Sequence, residues 1–396
     1  MRAYSTCFLV FFLLFANGIH LFAQFHTIHP IDSVMDMSPS YLPTSFVQLK
    51  SFEFEPLTYK PIDTGMLSTH QFDPILKTGN MYQSLGICGQ AHQSIIFNFI
   101  KEPFFQYSIL PYPLYFKNQS DLYFYKLQTT YSRVAYTLSF PKENEIFAVF
   151  AKNIKGVTVA ANINASVNEG TFVNQSTKNL CGDILIHYQI PSSIFGFRAS
   201  YIINHLNNSE NGGLLDSKTY QERTSQNNAG YEIRTAKANS KITTHDFALQ
   251  SYVNLINKQK KYFGTFTYDF QFNQNTLLYY DQFDSIYQYY QNFDSTKVIN
   301  DSTRFITCRN MLQWSNFSPY QIFTDKNRFF YIAGGVMHDY ADIKSTDTTF
   351  NSFSFFARTH IRLFKLLNIK ASMVYSFFGY SKNDIVASAE IGCTIN

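Results

Sequence analysis

Residues 156–168 read GVTVAANINASVN. Val157, Val159, Ala161, Ile163, Ala165 and Val167 fall on one side of a period of two. Thr158, Asn162, Asn164, Ser166 and Asn168 fall on the other, and Ala160 is neutral to the pattern. Successive side chains of a β-strand point to opposite faces, so this alternation predicts a strand with one apolar and one polar face.

The same period recurs on the C-terminal side. In 262–273, Tyr262, Phe266, Tyr268, Phe270 and Phe272 oppose Thr265, Thr267, Asp269, Gln271 and Asn273. In 367–377, Leu367, Ile369, Ala371, Met373, Tyr375 and Phe377 oppose Asn368, Lys370, Ser372 and Ser376, and residues 384–396 repeat the pattern. Shorter versions occupy 184–190, 197–205, 247–255 and 353–363. These segments are about 9 to 13 residues long, against a mode of ~5–6 in globular sheets, and that is the length a tilted strand needs to cross a membrane. A soluble sandwich shows shorter strands with more Gly and Pro at its turns. In lipid the backbone must be paired within the protein, so a crossing sheet closes on itself. The fold class expected is all-β: a transmembrane, antiparallel, up-and-down barrel of about 12 strands (~12–14).

Strands are expected at 126–140, 145–153, 156–168, 180–190, 196–206, 244–256, 261–273, 303–315, 328–341, 352–364, 367–379 and 384–396. The connections at 154–155, 191–195, 257–260 and 365–366 are short. Those at 169–179, 206–243 and the Tyr-rich 273–302 are long and polar. Short turns at one end and long loops at the other is the asymmetry of outer-membrane barrels, and an even strand number puts both sheet ends on the periplasmic side. The segments 305–314 and 329–340 alternate poorly, and 316–327 is long for a periplasmic turn.

The chain opens on Met1 and Arg2, an apolar run from Cys7 to Phe15, and small residues at Ala16, Gly18 and Ala23. That is the layout of a cleaved secretory signal, with the cut expected between Ala23 and Gln24 and a further site near Ala16 to Gly18. Asn17 and His20 interrupt the run before it reaches the ~20 residues of a membrane helix, and no later stretch reaches that length. Aromatic residues make up 18% of the chain and charged residues 15%. The usual charged share is about 25%, so the balance fits a surface that meets lipid. The net charge of +4 is too small for a nucleic-acid footprint. Cys88, Cys181, Cys308 and Cys393 are far apart, in no CxxC pair, and indicate neither a zinc site nor a disulfide framework. The expected organisation is a signal at 1–23, an irregular segment at 24–120 and an outer-membrane barrel at 121–396. Pro43, Pro56, Pro61, Pro74, Pro103, Pro111 and Pro113 keep the middle segment out of regular strands, so it reads as a periplasmic tail or a plug.

Ahead of the barrel stand Phe72-Asp73-Pro74, then Asn80-Met81-Tyr82-Gln83-Ser84-Leu85-Gly86, then Gly89-Gln90-Ala91 and Gln93. Glu210-Asn211-Gly212-Gly213 follows within the longest loop. Together these resemble the putative-porin family of Bacteroidetes outer membranes, over roughly residues 70–215. The resemblance implies a porin: passive or substrate-selective diffusion of small solutes across the outer membrane.

A pore needs no catalytic group; its selectivity comes from lumen-facing charges. With the apolar face outward, the lumen receives Asp183, His187, Arg198, Asp269, Arg358, His360, Arg362, Lys370 and Glu390. Arg358, His360 and Arg362 would form the basic side of a constriction; the bland reading is that all these charges solvate a wet interior or pair structurally. No cofactor is expected: His26 and His29 lack further metal ligands, and no GxSxG, HExxH, P-loop or GxGxxG occurs. Ser354 with His360 is the one pair that alternation leaves open for a lipolytic barrel. Trp314, Tyr375 and Phe377, and the cluster Tyr279, Tyr280, Tyr287, Tyr289 and Tyr290, read as interface girdle and loop packing. The partners implied are the outer-membrane bilayer, small solutes and the barrel-assembly machinery, with no nucleic acid; a homo-oligomer is compatible. Two other functions stay open: a plugged barrel passing apolar compounds, and an adhesive barrel with partner-binding loops.

Overall fold

A computed structural model of the chain describes residues 44–48, 60–61, 73–76, 81–84, 87–96, 104, 111–127, 129–139, 143–190, 194–215, 231–256, 262–282, 298–318, 329–363 and 367–393. The expected signal at 1–23 lies outside them. Five short strands come first: β1 (Thr44–Gln48), β2 (Lys60–Pro61), β3 (Tyr82–Ser84), β4 (His92–Ser94) and β5 (Tyr123–Leu127). Then follow β6 (Tyr131–Ser139), β7 (Glu143–Ile154), β8 (Val157–Asn168), β9 (Thr177–Gln189), β10 (Phe195–Ser209) and β11 (Asn239–Ile256). The series ends with β12 (Tyr262–Gln282), β13 (Val298–Ser315), β14 (Phe330–Ile343), β15 (Thr348–Leu363), β16 (Leu367–Gly379) and β17 (Ile385–Cys393).

β6 to β17 form one 12-stranded sheet in which every strand pairs antiparallel with its neighbours in sequence. This is the up-and-down barrel topology that the alternation predicts. The described residues include no ladder between β17 and β6. The tightest connection joins β7 to β8 through Lys155 (φ 51°) and Gly156 (φ 89°). Two consecutive positive φ values are the signature of a type I′ turn, whose twist matches that of the flanking strands. Asn153 Oδ1 accepts the Gly156 N–H at 3.1 Å and holds the turn.

Each expected strand has a counterpart, with two differences. The segment expected to begin at 126 is divided: β5 leaves the large sheet to pair with β1, and β6 starts at Tyr131. The long Tyr-rich loop is shorter than expected, because β12 and β13 continue together. Tyr279 faces Ser240 and Asp301, and Tyr280 faces Asn239 and Asn300. Those two tyrosines therefore belong to a strand; Tyr287, Tyr289 and Tyr290 lie outside the described residues.

Burial across the sheet is inverted relative to a soluble protein. Polar side chains lie inside: Thr265, Ser376, Asn208 and Ser200 are buried, at 2% exposure or less. On the neighbouring positions Phe355 (52%), Met373 and Leu249 are exposed. An exposed apolar face on every strand of one large sheet is what a lipid-facing surface requires. Leu249→Arg is therefore expected to cost about 2–4 kcal/mol in a bilayer, read from reversible chemical unfolding in liposomes. A soluble sheet would tolerate the change within roughly 0.5 kcal/mol, as surface substitutions usually are.

Candidate functional site

The polar face is organised in tiers, because residues paired across the ladders share a height. One tier runs through Thr158, His187, Arg198, Gln250 and Asp269, and continues through Met311, Met337, Ser354 and Ser376. Gln250 Nε2 donates to Asp269 Oδ1. Two positions further toward the long loops, Asn162 and Asp183 pair, and Asn162 Nδ2 donates to Asp183 Oδ2 at 2.7 Å. Toward the short turns, Tyr331, His360, Lys370 and Glu390 share a tier, with Arg358 on one side of it and Arg362 on the other. The nine candidate residues thus sit on the polar face but not in one ring. His187, Arg198 and Asp269 share a height, Asp183 stands above them, and the β15–β17 group stands below. Ser354 bonds Ser376 at 2.8 Å, three tiers away from His360, so the serine and histidine do not form a pair.

Residues ahead of the sheet lie directly on this face. Leu122, Phe124 and Tyr125 are buried against Val149, Ala151, Ala160, Leu185, Ile202 and Tyr252 from β7 to β11. The Arg198 guanidinium sits 5.3 Å over the Phe124 ring, and His187 meets the same ring edge-on at 5.7 Å. A second apolar cluster joins Ile75, Cys88, Tyr112, Tyr115 and Phe116 to Leu206 and Ile242.

Polar bonds fix the register of this segment. Lys117 Nζ pairs with buried Asp183, and the Lys117 backbone N–H and C=O are both held by the Asn204 amide, at 2.9 and 3.0 Å. Gln119 donates to Asp246 at 2.8 Å and accepts from Ser200 at 2.6 Å. The quoted motifs meet here too. The Cys88 carbonyl accepts from Asn168 and Thr177, the Gly89 carbonyl accepts from Asn208, and Gln90 and Gln175 exchange bonds. Gly89 has φ 89°, and a Cβ there would lie 2.7 Å from Thr177 Oγ1, so glycine is what lets the hairpin approach. Glu210 of the second motif accepts from the Tyr112 hydroxyl. Burial pushes the Cys88 thiol up from its ordinary value, which keeps it protonated; all four described cysteines are free.

Residues 47–396 match the family model described as Putative porin. The chain belongs to that family. No curated protein matches this porin in sequence. Among solved structures it is similar to the ferric-catecholate import receptor Fiu of E. coli K12 in its open form, at 10% identity and a TM-score of 0.39, over 66% of this chain and 50% of that one. The porin thus spans about half the length of the receptor.

Lys117, Gln119 and the Arg309–Asp339 pair (2.6 Å) were not among the candidates read from sequence. Alternation cannot reveal Lys117 or Gln119, which lie in a turn; the Asn118 to Asp121 capping bond at 3.0 Å is the one local signal that this stretch is ordered.

Removing one partner of a buried ion pair leaves an uncompensated charge. Asp183→Asn or Lys117→Met alone is expected to loosen residues 111–127 by about 3–5 kcal/mol, and the double variant by less than either. Limited proteolysis of that segment reads the difference. A pH dependence follows from His92. It is buried between Tyr82 and Tyr115, its Nε2 accepts the Leu114 N–H at 3.1 Å, and burial holds its pKa below the ordinary value of 6.5. Above pH 6.5 folded and unfolded states are both neutral there. As pH falls through 6.5 the unfolded chain takes up the proton first, so this packing weakens. The Leu114 amide is expected to lose hydrogen-exchange protection below pH 6.5, and His92→Gln to remove that dependence.

Proposed function

We propose that this protein is a Bacteroidetes outer-membrane porin for passive or substrate-selective diffusion of small hydrophilic solutes, with residues 73–127 restricting the lumen. The observation that carries the reading is the inverted burial of one up-and-down sheet, polar inside and apolar outside. Such a face gives solutes hydrogen-bonding partners along the axis without catalytic chemistry. The short turns face the periplasm and the long loops the exterior, and both ends of the sheet lie on the periplasmic side. Export is through the signal at 1–23, followed by insertion by the barrel-assembly machinery.

Twelve strands make a narrower barrel than the 16 to 18 of general porins, and the docked segment narrows it further. Passage is therefore selective rather than general. A second reading, transport of apolar compounds through a plugged barrel, is favoured by one feature: Met337, Phe356 and Val374, with Met311, form an apolar patch on the inner face, separate from the apolar residues that the docked segment covers.

Purified, heat-modifiable protein in a planar bilayer is expected to give stepwise currents smaller than those of a 16-stranded porin. No current from folded protein would overturn the pore. Uptake of an apolar dye into vesicles without ion current would favour the second reading.

A further inference from the structure

The two faces of the large sheet differ in the sign of their charge as well as in polarity. Among the described residues of β6 to β17, the inward positions take acids from Glu143 on β7 to Glu390 on β17, and with them most of the arginines. The outward positions take one acid, Asp342, whose carboxylate is bonded to Lys344 at 2.7 Å. Their full cations are Lys152, Lys178, Lys241 and Arg304. The chain as a whole has 32 Lys and Arg against 28 Asp and Glu, so composition does not account for this sorting.

All but Lys152 lie at the long-loop end. Lys178 on β9 and Lys241 on β11 pair with the same residue, Asn207 of β10, from its two sides. Two strand spacings of about 4.8 Å separate their backbones. Arg304 on β13 is joined through Thr276 to Thr243, the next outward residue after Lys241 on β11. All three cations are exposed, and none has an ion-pair partner among the described residues. Arg304 gives one bond, to Gln274 Oε1 at 3.0 Å. Around them the outward side chains are polar groups that bond one another, Asn239 to Asn207 at 2.8 Å and Thr243 with His205 at 2.9 Å.

This row borders the apolar surface. Leu180 (37% exposed) follows Lys178 on the same face of β9, with Ile184 and Ile186 beyond it, and Phe247 and Leu249 follow on β11. Lysine and arginine at such a border run their methylene stems along apolar surface and hold the charge at headgroup level. The described loop residues beyond the row carry both signs, Glu169 and Glu232 with Arg234 and Lys237, so the cationic excess belongs to the wall. A wall that met only water would have no reason to exclude acids. A wall facing phosphates does, because a carboxylate there meets like charge.

We propose that Lys178, Lys241 and Arg304 form a docking row for the anionic, phosphate-bearing headgroups of lipids in the leaflet at the long-loop end. An anionic lipid surface attracts each cation held near it, and the guanidinium of Arg304 keeps donors for a phosphate oxygen beyond the one given to Gln274. The inference rests on the lipid-facing barrel and is independent of what passes through it.

The test places a fluorescent reporter beside the row. Trp314 is the one tryptophan of the chain and lies on the outward face near the short turns. A variant carrying Leu180→Trp and Trp314→Phe moves the reporter next to Lys178. The full-length protein is folded into phosphatidylcholine vesicles containing bromine-labelled phosphatidylglycerol or, for comparison, bromine-labelled phosphatidylcholine. Quenching at position 180 is expected to show a several-fold preference for phosphatidylglycerol, weakening at high salt where charges are screened. Lys178→Gln, Lys241→Gln and Arg304→Gln together should bring the preference close to one, and in the native background should leave the quenching of Trp314 unchanged. Heat-modifiable migration checks folding, and Lys241→Gln alone stands in if the combined variant does not fold. Equal quenching by the two lipids, or a preference that survives the substitutions, overturns the proposal and leaves the porin reading intact. Stronger displacement by inorganic phosphate than by chloride at equal ionic strength would mark a site for soluble anions and overturn the lipid assignment. A native protein without heat-modifiable migration would remove the barrel and this proposal with it.

Discussion

A sheet that turns its apolar side chains outward must satisfy its backbone from within, because lipid offers no partner for a free amide or carbonyl. Much else in this protein follows from that constraint. The ladders run unbroken from β6 to β17. With the outer face given to lipid, the polar residues of every strand turn to a common interior, where they need partners of their own. The Asn, Ser, Thr and Gln side chains of β8 to β12 find them across the ladders, as in Asn204 to Thr244 at 2.9 Å and Thr265 to Asn254 at 2.6 Å. Asn168, Thr177, Ser200 and Asn208 bind the segment that precedes the sheet.

This explains why the sheet was legible in the sequence. A period of two over a membrane-spanning length holds along most of β8 and β16 and through the middle of β10 and β11, so the pattern and the strand coincide. Where reading was poorest, in β13 and β14, the structure supplies a reason. There the outer face carries polar residues that satisfy one another: Asn310 accepts from Tyr268 at 2.9 Å, and His338 lies 3.2 Å from Asn351. The inner face carries Met311 and Met337 in an apolar patch. Both substitutions blur the alternation without breaking the ladder.

The docking of residues 73–127 could not be read in the same way. Several of its anchors are backbone carbonyls, those of Cys88, Gly89 and Lys117, which have no side-chain signature. The motifs at 72–93 and 210–213 marked the family without saying what they do. In three dimensions both serve the same joint: the first supplies the hairpin, and the second supplies Glu210 for Tyr112. Alternation assigns the charged candidates a face and no height. Height is a property of register, which pairing fixes and alternation alone leaves open by two-residue steps.

The segment's two kinds of contact differ in what they would cost to break. Its hydrogen bonds to Asn168, Thr177, Ser200 and Asn208 would be replaced by bonds to water if it left, so each contributes about 0.5–1.5 kcal/mol net. Leu122 and Phe124, fully shielded against β7 to β11, have no such replacement, and burying a side chain of that size stabilises by roughly 1.5–3 kcal/mol. Withdrawal of the whole segment is therefore opposed mainly by its apolar C-terminal part. The hairpin around Gly89 is held largely through exchangeable bonds, and His92 stands where protonation weakens it.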